Sequence, residues 1–369
     1  MINWIKGLLV GALLLPFTFE NGADIRYFQQ STMPLSDSSD VIVSSIYDSL
    51  ANRDIYQVKT STGTPVHYYI ELQEGVCFEN ECRPLNILIY WNITGRYLGF
   101  ELVDGEFLSK YDHEPFSQME YKQLHQLLAD PFLPLGNYTF EELVKRPETD
   151  STSLDGVSGA TMKDVLEYIV PGAAYTTHKL WNVIHGPIQQ QVSKLTAQQL
   201  DALLFNKILE SSDESDWTWA IERIGLLPDL DDFVIKSIVQ ILIEGEHFQS
   251  YLLLKSLSSR QLESEHLQLH LFNLIGKVDF SIENMIFDKL VDASLLHGSV
   301  VHASISILKE LSGAQLGKLL KLYSHHNIEN AGFNQELSHL VPNENSFVER
   351  QVLQFLENQN QSADATGDL

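Results

Sequence analysis

Cysteine is nearly absent from this chain. There are two in 369 residues, Cys77 and Cys82. So few exclude a disulfide-dense scaffold and a four-cysteine zinc site. They also exclude an iron–sulfur cluster ligated by this chain's cysteines alone. Positive charge is scarce too: Lys and Arg number 24 against 49 Asp and Glu, for a formal net charge of −25. Phosphate backbones and anionic bilayer surfaces repel such a chain, so nucleic acid and charged membranes are poor candidates as partners. Beyond residue 23 no run is long and apolar enough to span a bilayer. There is no G-x-G-x-x-G, no P-loop lysine after a glycine-rich turn, and no G-x-S-x-G. Hydrolase readings therefore lack their residues, and neither a catalytic residue nor a metal ligand set is assigned.

What the chain does have is material for folded cores. Hydrophobic residues make up 44% and charged residues 20%, and the length suits two domains at about 150 residues each. Residues 1–23 read as a secretory signal peptide. Lys6 is followed by the apolar run Gly7–Phe19 and a small-residue end at Gly22-Ala23. A buried first helix or an uncleaved anchor are the other readings of this run. Export to an oxidising compartment, periplasmic or at the cell envelope, would close Cys77 and Cys82 into one small disulfide loop around Phe-Glu-Asn-Glu.

The remaining chain divides by texture. Residues 24–190 read as an α+β domain. Asp40 precedes an apolar pattern through Ala51, with Val41, Ile42, Ile46 and Leu50, expected to be a short helix. Val66–Leu72 reads as a strand. Asn86–Ile93 and Tyr97–Val103, separated by Thr94-Gly95, read as an antiparallel hairpin. Tyr121–Leu128 has helical spacing, and Phe140–Val144 forms another short helical piece. Met162 to about Ile184 reads as a helix kinked or divided at Pro171 and stopped by His185-Gly186-Pro187. Residues 191–357 read as an all-α domain of eight or nine helices. They have the rhythm of HEAT-like repeats, one helical pair per roughly 40 residues. Residues 358–369 read as a disordered tail. Two sequons, Asn92-Ile-Thr and Asn137-Tyr-Thr, fit the glycosylation triplet.

The chemistry-bearing segment is Leu154-Asp155-Gly156-Val157-Ser158-Gly159-Ala160-Thr161. Gly156 and Gly159 permit a turn with unusual backbone angles. Ala160 leaves room beside the threonine, and Thr161 supplies an oxygen nucleophile. A helix start following it would face an attached phosphate with free N–H groups. Thr161-Met-Lys-Asp164 also approximates a capping box, so a plain turn and helix cap is the competing reading. The segment resembles the D-G-x-[ST]-G-A-T attachment sequence of FMN-binding proteins, among them flavin subunits of sodium-pumping NADH:quinone oxidoreductases and Rnf-type complexes. Asp155, Gly156, Ser158, Gly159, Ala160 and Thr161 fill every specified position. The resemblance implies an FMN-binding α+β fold over about residues 66–185. It also implies FMN held by a phosphoester to Thr161, and a flavin transferase as the modifying partner. The hairpin at Asn86–Val103 matches the family's strand–turn–strand unit by pattern. By analogy the polar loop Asp112-His113-Glu114, and His113 in it, would contact the flavin. The chain also resembles uncharacterised exported proteins of Bacteroidetes-like bacteria, through Cys77/Cys82, Trp91/Gly95 and Leu108–Phe116. The implied activity is electron transfer between envelope redox partners docked on the helical domain. The alternative is a flavin-free protein-binding scaffold that keeps the fold as a relic.

The compartment reading is checked by thiol titration. The mature exported protein, unfolded without reductant, is expected to show no free thiol; two equivalents would place Cys77 and Cys82 in a reducing setting.

Overall fold

The structure is a computed structural model. It describes residues 26–28, 41–48, 53–74, 85–110, 113–139, 142, 167–341 and 346–366. Six strands form one antiparallel sheet among them: β1 (Arg26–Phe28), β2 (Val41–Asp48), β3 (Arg53–Thr60), β4 (Pro65–Glu74), β5 (Leu85–Asn92) and β6 (Tyr97–Leu102), in the order β1-β6-β5-β4-β3-β2. Each neighbour from β2 to β6 is the next strand in sequence, so the sheet is a meander with β1 laid against β6.

Alternation sets the faces. Tyr68, Ile70 and Leu72 of β4, Ile87, Ile89 and Trp91 of β5, and Phe100 and Leu102 of β6 are buried on one face. Two helices pack there: α1 (Gln118–Ala129), whose Ser117 and Glu120 make a capping box, and α2 (Ala174–Ile184). Trp91 Nε1 donates to the carbonyl of Ile184 at 3.0 Å, locking α2 to β5. The expected hairpin is present, with Gly95 at φ +95° in its turn.

Several expectations are corrected. Residues 41–48 form strand β2, because Val41-Ile42-Val43 is β-branched and pairs along its whole length with β3. Strands β1 and β3 were not anticipated. The break expected at Pro171 is present, and the helix beyond it runs from Ala174. Pro171 and Gly172, the latter at φ +76°, turn the chain ahead of it, and residues 162–166 lie outside the described residues. The piece at Phe140–Val144 also lies outside them, apart from Glu142.

The division at residue 190 falls inside a helix, α3 (Pro187–Ala197). Its Thr196 meets Tyr68 of β4 at 3.1 Å, so one hydrophobic core runs from the sheet into the helical part. Ten further helices follow among the described residues, two rows deep. The first row is α4 (Ala202–Leu209), α6 (Asp232–Glu244), α8 (Glu265–Phe272), α10 (Gly298–Ile307) and α12 (Ala331–Ser338). The second is α5 (Glu214–Glu222), α7 (His247–Ser256), α9 (Phe280–Val291), α11 (Gly313–His325) and α13 (Ser346–Thr366). Each helix packs on the next of its own row, a stack of five helical hairpins. The expected tail is helical through Thr366 as part of α13.

The repeat is 33 residues, not about 40. Second-row helices begin at Glu214, His247, Phe280, Gly313 and Ser346, and the last four first-row helices at Asp232, Glu265, Gly298 and Ala331. Burial keeps the same register: the third and seventh residues of all five first-row helices are buried, from Leu204 and Ile208 to Phe333 and Leu337. Asp201, Asp231, Ser264 and Asn330 each cap a first-row helix by accepting a backbone N–H three residues on. Each such cap stabilises its helix by about 1 kcal/mol. Leu353 is 43% exposed, whereas its counterparts Leu254, Phe287 and Leu320 are buried, since no described repeat follows α13.

Glutamines fasten neighbouring repeats. Gln261 Nε2 donates to Ile224 and Leu227 carbonyls at 2.8 and 3.1 Å. Fully buried Gln268 donates to Leu262 and Leu295 carbonyls at 2.7 and 2.8 Å and accepts from His297 N–H at 3.0 Å. Gln268→Met keeps the bulk and orphans three backbone groups. It is expected to lower the unfolding free energy by about 2–4 kcal/mol in a denaturant titration; a loss below about 0.5 kcal/mol would show the clamp to be dispensable.

Candidate functional site

The motif residues Asp155, Gly156, Ser158, Gly159, Ala160 and Thr161 lie outside the described residues, as do Cys77, Cys82 and Asp112. The described chain leaves at Glu142 and returns at Glu167, and Thr139, Glu142 and Glu167 are all exposed. Glu142 and Thr139 hold each other reciprocally through backbone N–H groups, at 2.8 and 3.3 Å. Behind the re-entry Ile169 and Val170 are buried, and Val170 N–H donates to Thr177 Oγ1 at 3.3 Å.

The loop assigned to flavin contact sits beside this re-entry. Lys110 packs its side chain against Gly172, where an added Cβ would meet Lys110 Cδ at 3.3 Å. Lys110 Nζ is bonded to Glu120 at 2.9 Å and to Glu114 at 3.3 Å. His113 is exposed, at φ +62° in the tight turn closed by Lys110 N–H on the Glu114 carbonyl. His113 precedes Ser117, the cap of α1, and no side-chain bond of His113 is present among the described residues.

The densest polar cluster was not foreseen. It joins the β5–β6 turn to α5. Asp216, 1% exposed, takes Asn92 Nδ2 and Thr94 Oγ1 on Oδ1, both at 2.6 Å. Its Oδ2 takes Arg96 Nη2 at 3.1 Å and Ser211 Oγ at 2.8 Å. Asn92 Oδ1 accepts the N–H groups of Thr94 and Arg96 at 3.1 and 2.8 Å, which shapes the turn. Gly95 is required here: its φ is +95°, and a Cβ would press on the Gln189 carbonyl at 3.0 Å. Burial alone would raise the Asp216 pKa. The Arg96 guanidinium and the bonds from Thr94 and Asn92 outweigh it, so the carboxyl stays below its ordinary 3.8. Every partner is spoken for, so the cluster is a structural joint and offers no open acid or base.

This joint settles the two sequons differently. Asn92 is buried with both side-chain atoms engaged, so the folded chain does not present it, whereas Asn137 is exposed.

The sheet's other face carries an aromatic row. Tyr56 stacks on Tyr69 with centroids 4.9 Å apart, Tyr69 meets Tyr90 at 5.4 Å, and His67 meets Tyr90 at 5.7 Å. Tyr90 Oη donates to Glu101 at 2.9 Å. Such cross-strand pairs stabilise a sheet by about 0.2–1 kcal/mol each. Burial lowers His67 to about 4.

Two histidines, one in α2 and one at its C-terminal end, are structural. His178 Nε2 donates to the Tyr138 carbonyl and His185 Nε2 to that of Leu128, both at 2.9 Å. Trp181 is a core residue whose Nε1 donates to the Asp130 carbonyl at 2.9 Å. No helix among the described residues is long and apolar enough to cross a membrane. In comparison with known protein families, curated proteins and solved structures, the chain matches none.

The buried histidines give a signed pH dependence. His67, His125 and His185 are all depressed by burial. The unfolded chain therefore binds more protons below 6.5, and stability falls as pH drops from 6.5 toward about 4. Asp216 is also depressed, so its contribution persists through that window and is lost only as pH falls below 3.8. Melting temperature against pH should show the first decline shallower in His67→Phe and the second unchanged; an identical curve would show that His67 titrates freely in the fold.

Proposed function

We propose that this chain is an exported flavoprotein that carries FMN on Thr161 and passes electrons between envelope redox partners. One observation carries the reading: all six specified positions of the attachment sequence, Asp155, Gly156, Ser158, Gly159, Ala160 and Thr161, in one uninterrupted segment. Two features of the described structure support it. The described residues that flank the segment, Glu142 and Glu167, are exposed, which is compatible with access by a flavin transferase. In chain order it also falls after the strands of the antiparallel sheet and ahead of the helical stack.

Bound FMN would supply the one- and two-electron chemistry. The chain's own part is to tether it and to hold partners near it. The HEAT-like stack is the docking element in this reading. Phe248 and Phe280, near the starts of neighbouring helices α7 and α9, are each more than half exposed and give that surface apolar contact points. The same stack favours the second reading, a scaffold without flavin.

Intact-mass analysis after co-expression with a flavin transferase separates the two. The expected result is a gain of one FMN less one water, with in-gel flavin fluorescence, and neither in Thr161→Ala. An unmodified, colourless chain under conditions that modify a known substrate would reduce Thr161 to a turn residue and leave the scaffold.

A further inference from the structure

A pair of histidines on α8 has the i, i+4 spacing at which helical histidines can share a metal. His266 and His270 lie one helical turn apart, and their ring centroids are 4.4 Å apart. Both have Nδ1 engaged. His266 Nδ1 faces Asp232 Oδ1, from the first residue of α6, at 3.2 Å. His270 Nδ1 lies 2.9 Å from the backbone carbonyl of His266. A carboxylate and a carbonyl can only accept, so each Nδ1 bears the proton. That fixes one tautomer in both rings and leaves both Nε2 lone pairs as the available donor atoms. No hydrogen bond among the described residues occupies either Nε2. Metal-binding histidines recurrently have this outer support, one ring nitrogen on a carboxylate or carbonyl and the other on the metal.

We propose that His266 and His270 bind a borderline divalent cation such as Zn²⁺ through Nε2, with Asp232 as the positioning residue of His266. Imidazole pairs suit zinc, copper and nickel and not calcium or magnesium, which prefer oxygen. Among the described residues no group of three or more His, Cys, Asp and Glu is placed to hold a metal. The remaining positions therefore go to water, and the site is open and exchangeable. Asp232 opens one first-row helix and the histidines sit on the next, so an occupied site would tie two successive repeats together. The chain's net charge of −25 favours cations over anions in general.

Zn²⁺ titration of the full chain by calorimetry, above the ordinary histidine pKa, tests this. The expected result is one site that is lost in His266→Ala/His270→Ala and weakened 10- to 100-fold in Asp232→Asn. Ca²⁺ should give no heat at this site. His266 is about half exposed, so these variants should melt as the parent does without metal; with Zn²⁺ only the parent gains melting temperature. Equal Zn²⁺ binding by the double variant, or no binding by the parent, would overturn the proposal. Undiminished affinity in Asp232→Asn would overturn the positioning role.

Discussion

The architecture depends on one buried carboxylate. Asp216 lies on the second helix-row and gathers Asn92, Thr94 and Arg96 from the β5–β6 turn. A buried ion brings a desolvation cost of several kcal/mol, which only near-complete hydrogen bonding offsets. Asp216 has that: three donors on one oxygen and two on the other, with Arg96 bonding both. The arrangement is therefore specific. A hydrophobic contact tolerates sliding; this one fixes where the sheet sits on the first repeat and in what orientation. The stack then grows from α4 and α5 by repetition, each hairpin completing the burial of the one before.

The joint also explains why sheet and stack share a core. Tyr68 reaches Thr196 on α3, and Trp219 of α5 donates to Ser193 Oγ at 2.6 Å. These contacts surround the same turn. A boundary drawn at residue 190 by texture falls inside the helix that carries them, and one hydrophobic core continues across it.

Much of the local structure was legible in the sequence. The β5–β6 hairpin, the stop at His185-Gly186-Pro187 and most helix breaks follow from glycine, proline and period, which are short-range signals. Strand β2 was not, because Asp40 ahead of Val41, Ile42 and Ile46 imitates a capped helix; its pairing with β3 decided the outcome. The 33-residue repeat was hidden because positions 33 apart need share burial and not residue type, as Ile235, Gln268 and Val301 do. The Asp216 joint was invisible because its partners in the β5–β6 turn stand 120 and more residues away. The segment Asp155–Thr161 is the reverse case: its resemblance to an FMN-attachment sequence is read from the sequence alone, and it lies outside the described residues.

Hydrogen exchange at Thr94, Arg96 and the amides of α4 and α5, compared between the parent chain and Asp216→Ala, tests the central claim most directly. If Asp216 couples sheet to stack, protection falls together in the turn and in both helices, while α10 and α11 keep theirs. If protection is lost at Thr94 and Arg96 alone, the carboxylate merely shapes a turn, and the stack stands without it.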